Sequence, residues 1–471
     1  MTPLWTGFEY KPHQVYGVKW MLEREKGETK GGILCDEMGL GKTIQVLGLI
    51  NESRHSKTLL VTPLAVVNQW KDGAIRSRIN VLVYEKYSWK LKSPPFPNRP
   101  IIYVIGYEAL SRNIHSISVF SFDRMVCDEA HRLGVKNIRG MLAYNKPIKK
   151  LGYNTIIKVK ATCKWFLTAT PVVNSQDDIF TLFAILDSNL NKLPIATLMG
   201  QYVLARSMDQ LRDSIPDAPP PPIIKTVMLD FHTKKEEEFY TGIQNNIQKQ
   251  LQYNESALIV LRLIMLLRQV SIHPQVYMNA RQKKYKSLSM DIWPEPSTKF
   301  VHMKNLIECE AQVKHKWIIF CHFHDEMLLV KTYLSSFKFI RRIETYSGSL
   351  NRDEKANVLD RISEPFENDE TTDVLLLQLK AGGVGLNLQM FDRIIFNSPW
   401  WTHAAIEQGI GRAVRIGQTK QVIVYNLLLK QEEVNKVRNI DTWMKAKAEE
   451  KGLMNKIILQ MADNNVLVPT R

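Results

Sequence analysis

Nine short apolar runs, rich in β-branched residues and separated by helical patterns, constrain this chain more than any other feature. Five come early: Gly32–Cys35, Thr58–Thr62, Ile101–Ile105, Arg124–Cys127 and Trp165–Thr168. Four come late: Trp317–Cys321, Val374–Leu377, Arg393–Phe396 and Val422–Tyr425. Continuous apolar runs of this length, bounded by turn residues, predict central strands of parallel sheets covered on both faces. Two clusters with a gap between them predict two α/β lobes. The gap, from about Asp177 to Val276, is mostly helical in pattern. It is interrupted by Pro216-Asp-Ala-Pro-Pro-Pro-Pro222, which suits neither helix nor central strand and reads as an extended connector. Lys234 to Leu267 then reads as one or two amphipathic helices, Tyr277 to Pro296 as a polar, basic linker, and the tail after Gln431 as charged and helical.

At 471 residues the chain has room for two or three domains with real cores. Lys and Arg outnumber Asp and Glu by 63 to 47, a formal charge of +16. Such a balance favours a polyanionic partner: nucleic acid or, less often, an anionic membrane surface. The five cysteines, Cys35, Cys127, Cys163, Cys309 and Cys321, are widely spaced and form no C-x-x-C pair. Neither a disulfide framework nor a zinc module is therefore expected. The opening MTPLWTGFEYKPHQ lacks the apolar core of a signal peptide, and the greasiest stretch, Ala257 to Leu267, is too short to span a bilayer and carries Arg262. A soluble intracellular protein with no membrane partner is expected.

The first apolar run leads straight into Asp36-Glu37-Met38-Gly39-Leu40-Gly41-Lys42-Thr43. A phosphate-binding loop belongs at the end of such a strand. Gly39 and Gly41 let backbone N–H groups turn inward around an anion. Lys42 is placed to reach the β- and γ-phosphates, and the Thr43 hydroxyl to ligate Mg²⁺. The residues after it are helical in pattern, so a helix N-terminus adds its partial positive charge. The usual first glycine of G-x-x-x-x-G-K-[ST] is Asp36 here.

Val126-Cys127-Asp128-Glu129-Ala130-His131 puts two acids at the carboxyl end of another run, the end where open α/β sheets bind ligands. Asp128 suits Mg²⁺ opposite Thr43, and Glu129 suits polarising an attacking water. In Leu167-Thr-Ala-Thr-Pro171, Thr168 and Thr170 offer hydroxyls that could relay the state of the γ-phosphate. The late cluster adds a glycine-rich turn, residues 381–388, and the segment EQGIGRAVRIGQ. Spacings of four and three residues predict Gln408, Arg412 and Arg415 on one helix face. Two arginines together fit an arginine-finger role, on the order of 10³–10⁵ in rate in related NTPases. Glycines at 409, 411 and 417 would be costly in an idle helix, roughly 1 kcal/mol each.

The ordered set resembles the superfamily-two helicases, and within them the Swi/Snf-type DNA-translocating ATPases. The resemblance is carried by Tyr10-Lys-Pro-His-Gln14 with Gly17-Val-Lys-Trp20, DEMGLGKT, Thr62-Pro63 with Asn68-Gln-Trp70, DEAHRLG, LTATPVVN, LRQVSIHP (267–274), IIFCHF, YSGS (346–349), AGGVGLNL and QGIGRAVRIGQ. It covers about residues 8 to 430, and Asp36 fits it, because this family's loop opens with an acidic dipeptide. Three departures stand out: T-A-T-P where the family more often has T-G-T-P, Leu204-Ala-Arg206 where a double arginine is usual, and no acidic residue before Trp400-Trp401.

The resemblance implies an α/β fold of two RecA-like parallel-sheet lobes with a helical insertion between them. Residues 1–190 would form the ATP-binding lobe, 191–295 a helical protrusion and linker, 296–430 the second lobe and 431–471 a helical tail. It implies ATP and Mg²⁺ as cofactors, with Gln14 reading the adenine, His131 coupling the nucleotide site to the other lobe, and Gln408, Arg412 and Arg415 facing the ATP from the second lobe. Nucleic acid would touch Thr62 and Pro63, Gly106 and Tyr107, Ser347 and Gly348, and Gly382 and Gly383. The implied activity is ATP-dependent translocation on double-stranded DNA, remodelling nucleosomes or transcription and repair complexes. The alternatives are a strand-separating DNA helicase and a nucleotide-gated DNA-binding scaffold without turnover. A nuclear location is implied or, for a viral chain, a cytoplasmic factory or virion.

Overall fold

The computed structural model describes residues 1–53, 55–144, 146–148, 150–252, 256–285, 291–313, 315–365, 371–379, 386–430 and 439–462. The chain divides into two compact units, residues 1–218 with 450–471, and residues 219–449.

Unit 1 is built on β1 (Gly31–Leu34), β2 (Lys57–Thr62), β3 (Asn80–Glu85), β4 (Ser88–Leu91), β5 (Ile101–Gly106), β6 (Ser121–Asp128), β7 (Lys160–Leu167) and β8 (Val203–Leu204), in the order β4-β3-β5-β2-β6-β7-β1-β8. All pair in parallel except the β3–β4 hairpin. In the pairing register Leu34 lies opposite Leu167, and Leu167 opposite Asp128. The loop after β1 and the ends of β7 and β6 therefore open side by side at the carboxyl edge, where parallel sheets bind ligands. Helices α1 (Pro12–Arg24), α2 (Lys42–Glu52) and α3 (Val67–Arg76) bring further residues to this edge. Pro12 suits the first turn of α1, where its missing N–H costs nothing.

Among the described residues unit 2 has six parallel strands: β9 (Ile223–Leu229), β10 (Lys316–Cys321), β11 (Ile340–Tyr346), β12 (Thr372–Gln378), β13 (Arg393–Phe396) and β14 (Ile423–Leu429), in the order β11-β12-β10-β13-β14-β9. Along β10, Trp317, Ile319 and Cys321 enter one core while Ile318 and Phe320 enter another. A strand with a core on each side has no polar face, which is why it reads as a continuous apolar run. Full burial of each such side chain contributes roughly 1.5–3 kcal/mol.

All nine predicted runs lie in strands, displaced by a residue at most. Five strands carried no such signal: β3, β4, β8, β9 and β11. Four of these, β4, β8, β9 and β11, are sheet edges, where one side of the strand meets solvent and charge is tolerated. The expected helical insertion, 191–295, is divided between the two units. Residues 203–204 add β8 to the first sheet, and residues 223–229, just beyond the proline run, add β9 to the second. No helix among the described residues is long and apolar enough to cross a membrane.

Candidate active site

The loop after β1 owes its shape to two glycines with left-handed backbones, Gly39 at φ 91° and Gly41 at φ 80°. A side chain at position 41 would also strike Gln14, since a Cβ there falls 2.6 Å from its Nε2. Gly41 caps α2, so the free N–H groups of that helix face the loop. Lys42 Nζ donates to the Asp36 carbonyl at 2.6 Å and the Glu37 carbonyl at 3.4 Å. Gln14 is buried; its amide accepts from Lys11 N–H and donates to the Leu40 carbonyl at 3.4 Å. His13, wholly buried beside it, bonds the same carbonyl through Nε2 at 2.9 Å.

Asp36 and Glu37, expected to bind nucleotide, have other work for their side chains. The Asp36 carboxylate is fully buried and takes Arg206 Nε at 2.9 Å, Arg206 Nη2 at 2.6 Å and Gln45 Nε2 at 2.8 Å. Arg206 also donates to the His13 carbonyl at 2.6 Å and to Gln45 Oε1 at 3.0 Å. One guanidinium thus ties α1, the loop and α2 to the strand before it. Glu37 accepts the Met208 N–H at 2.6 Å. The acidic dipeptide braces the loop from behind, leaving the backbone of residues 38–41 to face an anion.

At the end of β6, Asp128 is held on several sides. Its Oδ2 accepts Trp70 Nε1 at 2.8 Å and the Thr62 hydroxyl at 3.1 Å, and its Oδ1 accepts the Glu129 N–H at 3.0 Å. Burial and the Glu129 charge push its carboxyl up to about 6, against the bonds from Trp70 and Thr62 and the charge of Lys42. Glu129 itself has a left-handed backbone, φ 50° and ψ 48°. For a residue with a Cβ this costs about 1–3 kcal/mol and is typical of functional strain. His131 Nδ1 lies 3.1 Å from the Thr168 hydroxyl, and the ring is 3.4 Å from Glu129. Burial, then Arg132, lowers its pKa to about 4, so the ring is neutral at pH 7. The Thr168 hydroxyl also accepts the Thr170 N–H at 3.1 Å, and the Thr170 hydroxyl is buried with no partner among the described residues.

These residues fit a magnesium nucleotide. Thr43 and Asp128 offer the hard oxygen donors that Mg²⁺ takes, and Asp128 Oδ1 keeps acceptor capacity. The buried, unpartnered hydroxyl of Thr170 suits a polar ligand at this edge.

Four residues of unit 1 expected at nucleic acid are buried. Thr62 is fully buried against Asp128, and Tyr107 is buried with its hydroxyl on the Asp128 carbonyl at 2.7 Å. Pro63 and Gly106 are also buried. The strand ends that carry them turn the Thr62 and Tyr107 side chains inward, while the neighbouring Leu64 is 76% exposed.

Unit 2 corrects a second expectation. The helix carrying Gln408, His403–Ile410, stops before the arginines. Arg412 and Ala413 donate their N–H groups three residues back, to Gly409 and Ile410, and Gly417 turns the chain at φ 96°. Arg412 and Arg415 therefore follow the helix in tight turns instead of sharing its face. Arg412 is buried; Arg415 donates Nε to the Gly411 carbonyl at 2.9 Å, and burial lowers its pKa. Gly409 is explained by packing: a Cβ there would fall 3.0 Å from the Phe320 ring, itself stacked on Phe396. The segments LRQVSIHP, IIFCHF and Asn397-Ser-Pro-Trp-Trp401 meet around buried Arg268, which donates to the Pro399 carbonyl at 3.1 Å and lies over the rings of Trp400 and Trp401. Ser347 is buried with its hydroxyl on Ser349, and Gly348 donates its N–H to Gln378 at 3.2 Å. Gly382 and Gly383 lie outside the described residues.

Among the described residues one metal-type grouping occurs away from this site. His55 Nε2 is 3.6 Å from both Cys163 Sγ and Glu25 Oε2. Glu25 is already held by Arg124 Nε and Nη2, each at 2.6 Å, and by Trp165 Nε1 at 2.9 Å. A cation there would compete with a buried arginine for the same carboxylate.

Residues that the sequence reading left without a role are Trp70, His13, Gln45 and Arg206. Trp70, His13 and Arg206 lay within quoted segments, but none has a local pattern that names its partner.

Comparison with known proteins adds an independent line. Residues 13–193 match the SNF2-related domain, and residues 298–417 the helicase conserved C-terminal domain. The CHD3-type chromatin-remodeling factor CHR7 of Arabidopsis thaliana is 26% identical over 84% of this chain and 34% of its own length. The "Probable global transactivator" of Orgyia pseudotsugata multicapsid polyhedrosis virus is 25% identical over 96% of this chain and 92% of its own. The ATP-dependent DNA helicase DDM1 of Arabidopsis thaliana is 26% identical over 91% and 60%. The chain thus spans a third to three fifths of the plant relatives and nearly all of the viral one.

Proposed function

The chain belongs to the Swi/Snf-type ATPases, carrying their SNF2-related and helicase C-terminal domains in order, and from that premise we propose that it hydrolyses ATP in response to double-stranded DNA and moves along the duplex. The observation that supports this most is the alignment of three strand ends in unit 1, which sets the phosphate-type loop, Asp128 with Glu129, and Thr168 in one row. In this reading the backbone N–H groups of residues 39–43 and Lys42 bind the phosphates, and Gln14 meets the adenine. Thr43 and Asp128 would hold Mg²⁺, which when bound would shield phosphate charge. Glu129 takes a proton from water, and neutral His131 reports to Thr168 and Thr170. Arg412 and Arg415 are assigned the charge on the phosphoryl group in transit.

The net charge of +16 supports affinity through the DNA backbone with little sequence preference. Nucleosomes and transcription complexes are the cargo classes that the relatives' names, chromatin-remodeling factor and global transactivator, suggest; repair complexes belong to the same proposal. Steady-state hydrolysis measured with duplex DNA, single strands and RNA side by side should be stimulated most by duplex. Stimulation by RNA alone would overturn the assignment.

The acidity of Asp128 gives a second expected result. It must be a carboxylate to hold a cation, and its carboxyl sits at about 6. Below that pH the cation has to displace a proton, so the Mg²⁺ needed to tighten nucleotide binding should rise about tenfold per pH unit. In Glu129→Gln, which lacks the neighbouring charge, the onset should move to lower pH. A Mg²⁺ titration of fluorescent-nucleotide binding across this range checks both; identical onsets in the two proteins would contradict the account.

A further inference from the structure

We propose that Trp70 is a positioning residue for the cation site: with Thr62 it clamps one oxygen of Asp128 and leaves the other to ligate the cation. The inference rests on the assignment of Asp128 as a metal-holding residue.

Four observations carry it. Both donors converge on Oδ2, Trp70 Nε1 at 2.8 Å and Thr62 Oγ1 at 3.1 Å, while among the described residues Oδ1 takes only a backbone N–H. Two donors on one oxygen fix the carboxylate's rotation, and an indole N–H can donate but never accept, so this bond has one polarity. Trp70 is 1% exposed, and a buried indole needs a partner for its N–H; here the partner is a charged group. The two donors also bracket a short surface segment. Thr62 ends β2, Trp70 lies in the first turn of α3, and the 3₁₀ turn Leu64–Val66 between them exposes Leu64. A shift of that turn moves both donors, and the group they share is Asp128. Outer-shell partners of metal ligands act in this way, and losing one weakens metal binding about 10–100-fold.

The simpler alternative is that Trp70 fills space and its N–H merely finds an acceptor. Trp70→Phe separates the two, because it keeps an aromatic ring and deletes the donor. The affinity for a fluorescent ADP analogue should be measured in EDTA and across a Mg²⁺ titration. The expected result is unchanged affinity in EDTA with a half-saturating Mg²⁺ concentration raised about 10–100-fold. An unchanged Mg²⁺ response overturns the proposal, and so does an equal loss of affinity with and without Mg²⁺, which a packing role would give. Asp128→Asn belongs in the same assay. If it too responds normally to Mg²⁺, the assignment of Asp128 fails; if only Trp70→Phe does, the positioning role alone is lost.

Discussion

Arg206→Met should destabilise unit 1 by about 3–5 kcal/mol, the usual consequence of stranding one partner of a buried ion pair. The Asp36 carboxylate is fully buried, and Arg206 supplies two of its three side-chain donors. Methionine fills much of the arginine's volume but leaves that charge with Gln45 alone. A loss of this size compares with a total stability of about 5–15 kcal/mol for a typical domain, so it decides whether the unit stays folded. For a unit of this length it corresponds to roughly 10 °C in melting temperature. Nucleotide affinity should fall with it, because the same guanidinium holds the His13 carbonyl and Gln45. Thermal melts and nucleotide titrations test this. Adding Asp36→Asn to Arg206→Met should recover part of the loss by removing the stranded charge. A wild-type melting temperature in Arg206→Met would refute the bracing role.

Glu129→Gln should cut turnover by about 10²–10⁴, the range for losing a general base, with nucleotide affinity kept. Glutamine preserves the size of the side chain and accepts the same left-handed backbone, φ 50°, so at pH 7 and above, where Asp128 is a carboxylate in both proteins, the change acts chiefly by removing basicity. Single-turnover hydrolysis separates the chemical step from binding and product release. Turnover near that of the wild type would mean that another group takes the proton. Lys42→Ala makes the complementary case: it removes the side chain that the loop carries to the phosphates, and binding itself should fail.

Much of this was legible in the sequence for a definite reason. Central strands of parallel sheets have no polar face, so β1, β2, β5, β6, β7, β10, β12, β13 and β14 announced themselves as apolar runs, and the loop and acids could be placed at their ends. Edge strands lack that signature: β11 reads Ile340-Arg-Arg-Ile-Glu-Thr-Tyr346, and β9 hides behind four consecutive prolines. Long-range polar pairs were illegible. Asp36 and Arg206 are 170 residues apart, and Trp70 and Asp128 are 58 apart, with no periodicity to link them. Helical spacing misled at Arg412 and Arg415, because the close approach of Gly409 to Phe320 and the turn at Gly417 are packing facts. Thr62 and Tyr107 were expected at nucleic acid; here Asp128 recruits both, Thr62 through its carboxylate and Tyr107 through its backbone carbonyl.

The order in which the strands are paired bears on how this polypeptide is made. β9 has β14 as its neighbour, nearly two hundred residues later in the chain, so the second sheet lacks its partner until almost all of that unit has left the ribosome. Unit 1 waits longer still: its core includes Ile458 and Ala462, and Asn455 accepts the Val172 N–H. Synthesis from the amino terminus therefore yields neither core complete until the helix Ile440–Gln460, which gives Met444 to one core and Ile458 to the other, has emerged, and a nascent chain must keep its apolar strands from mispairing until then.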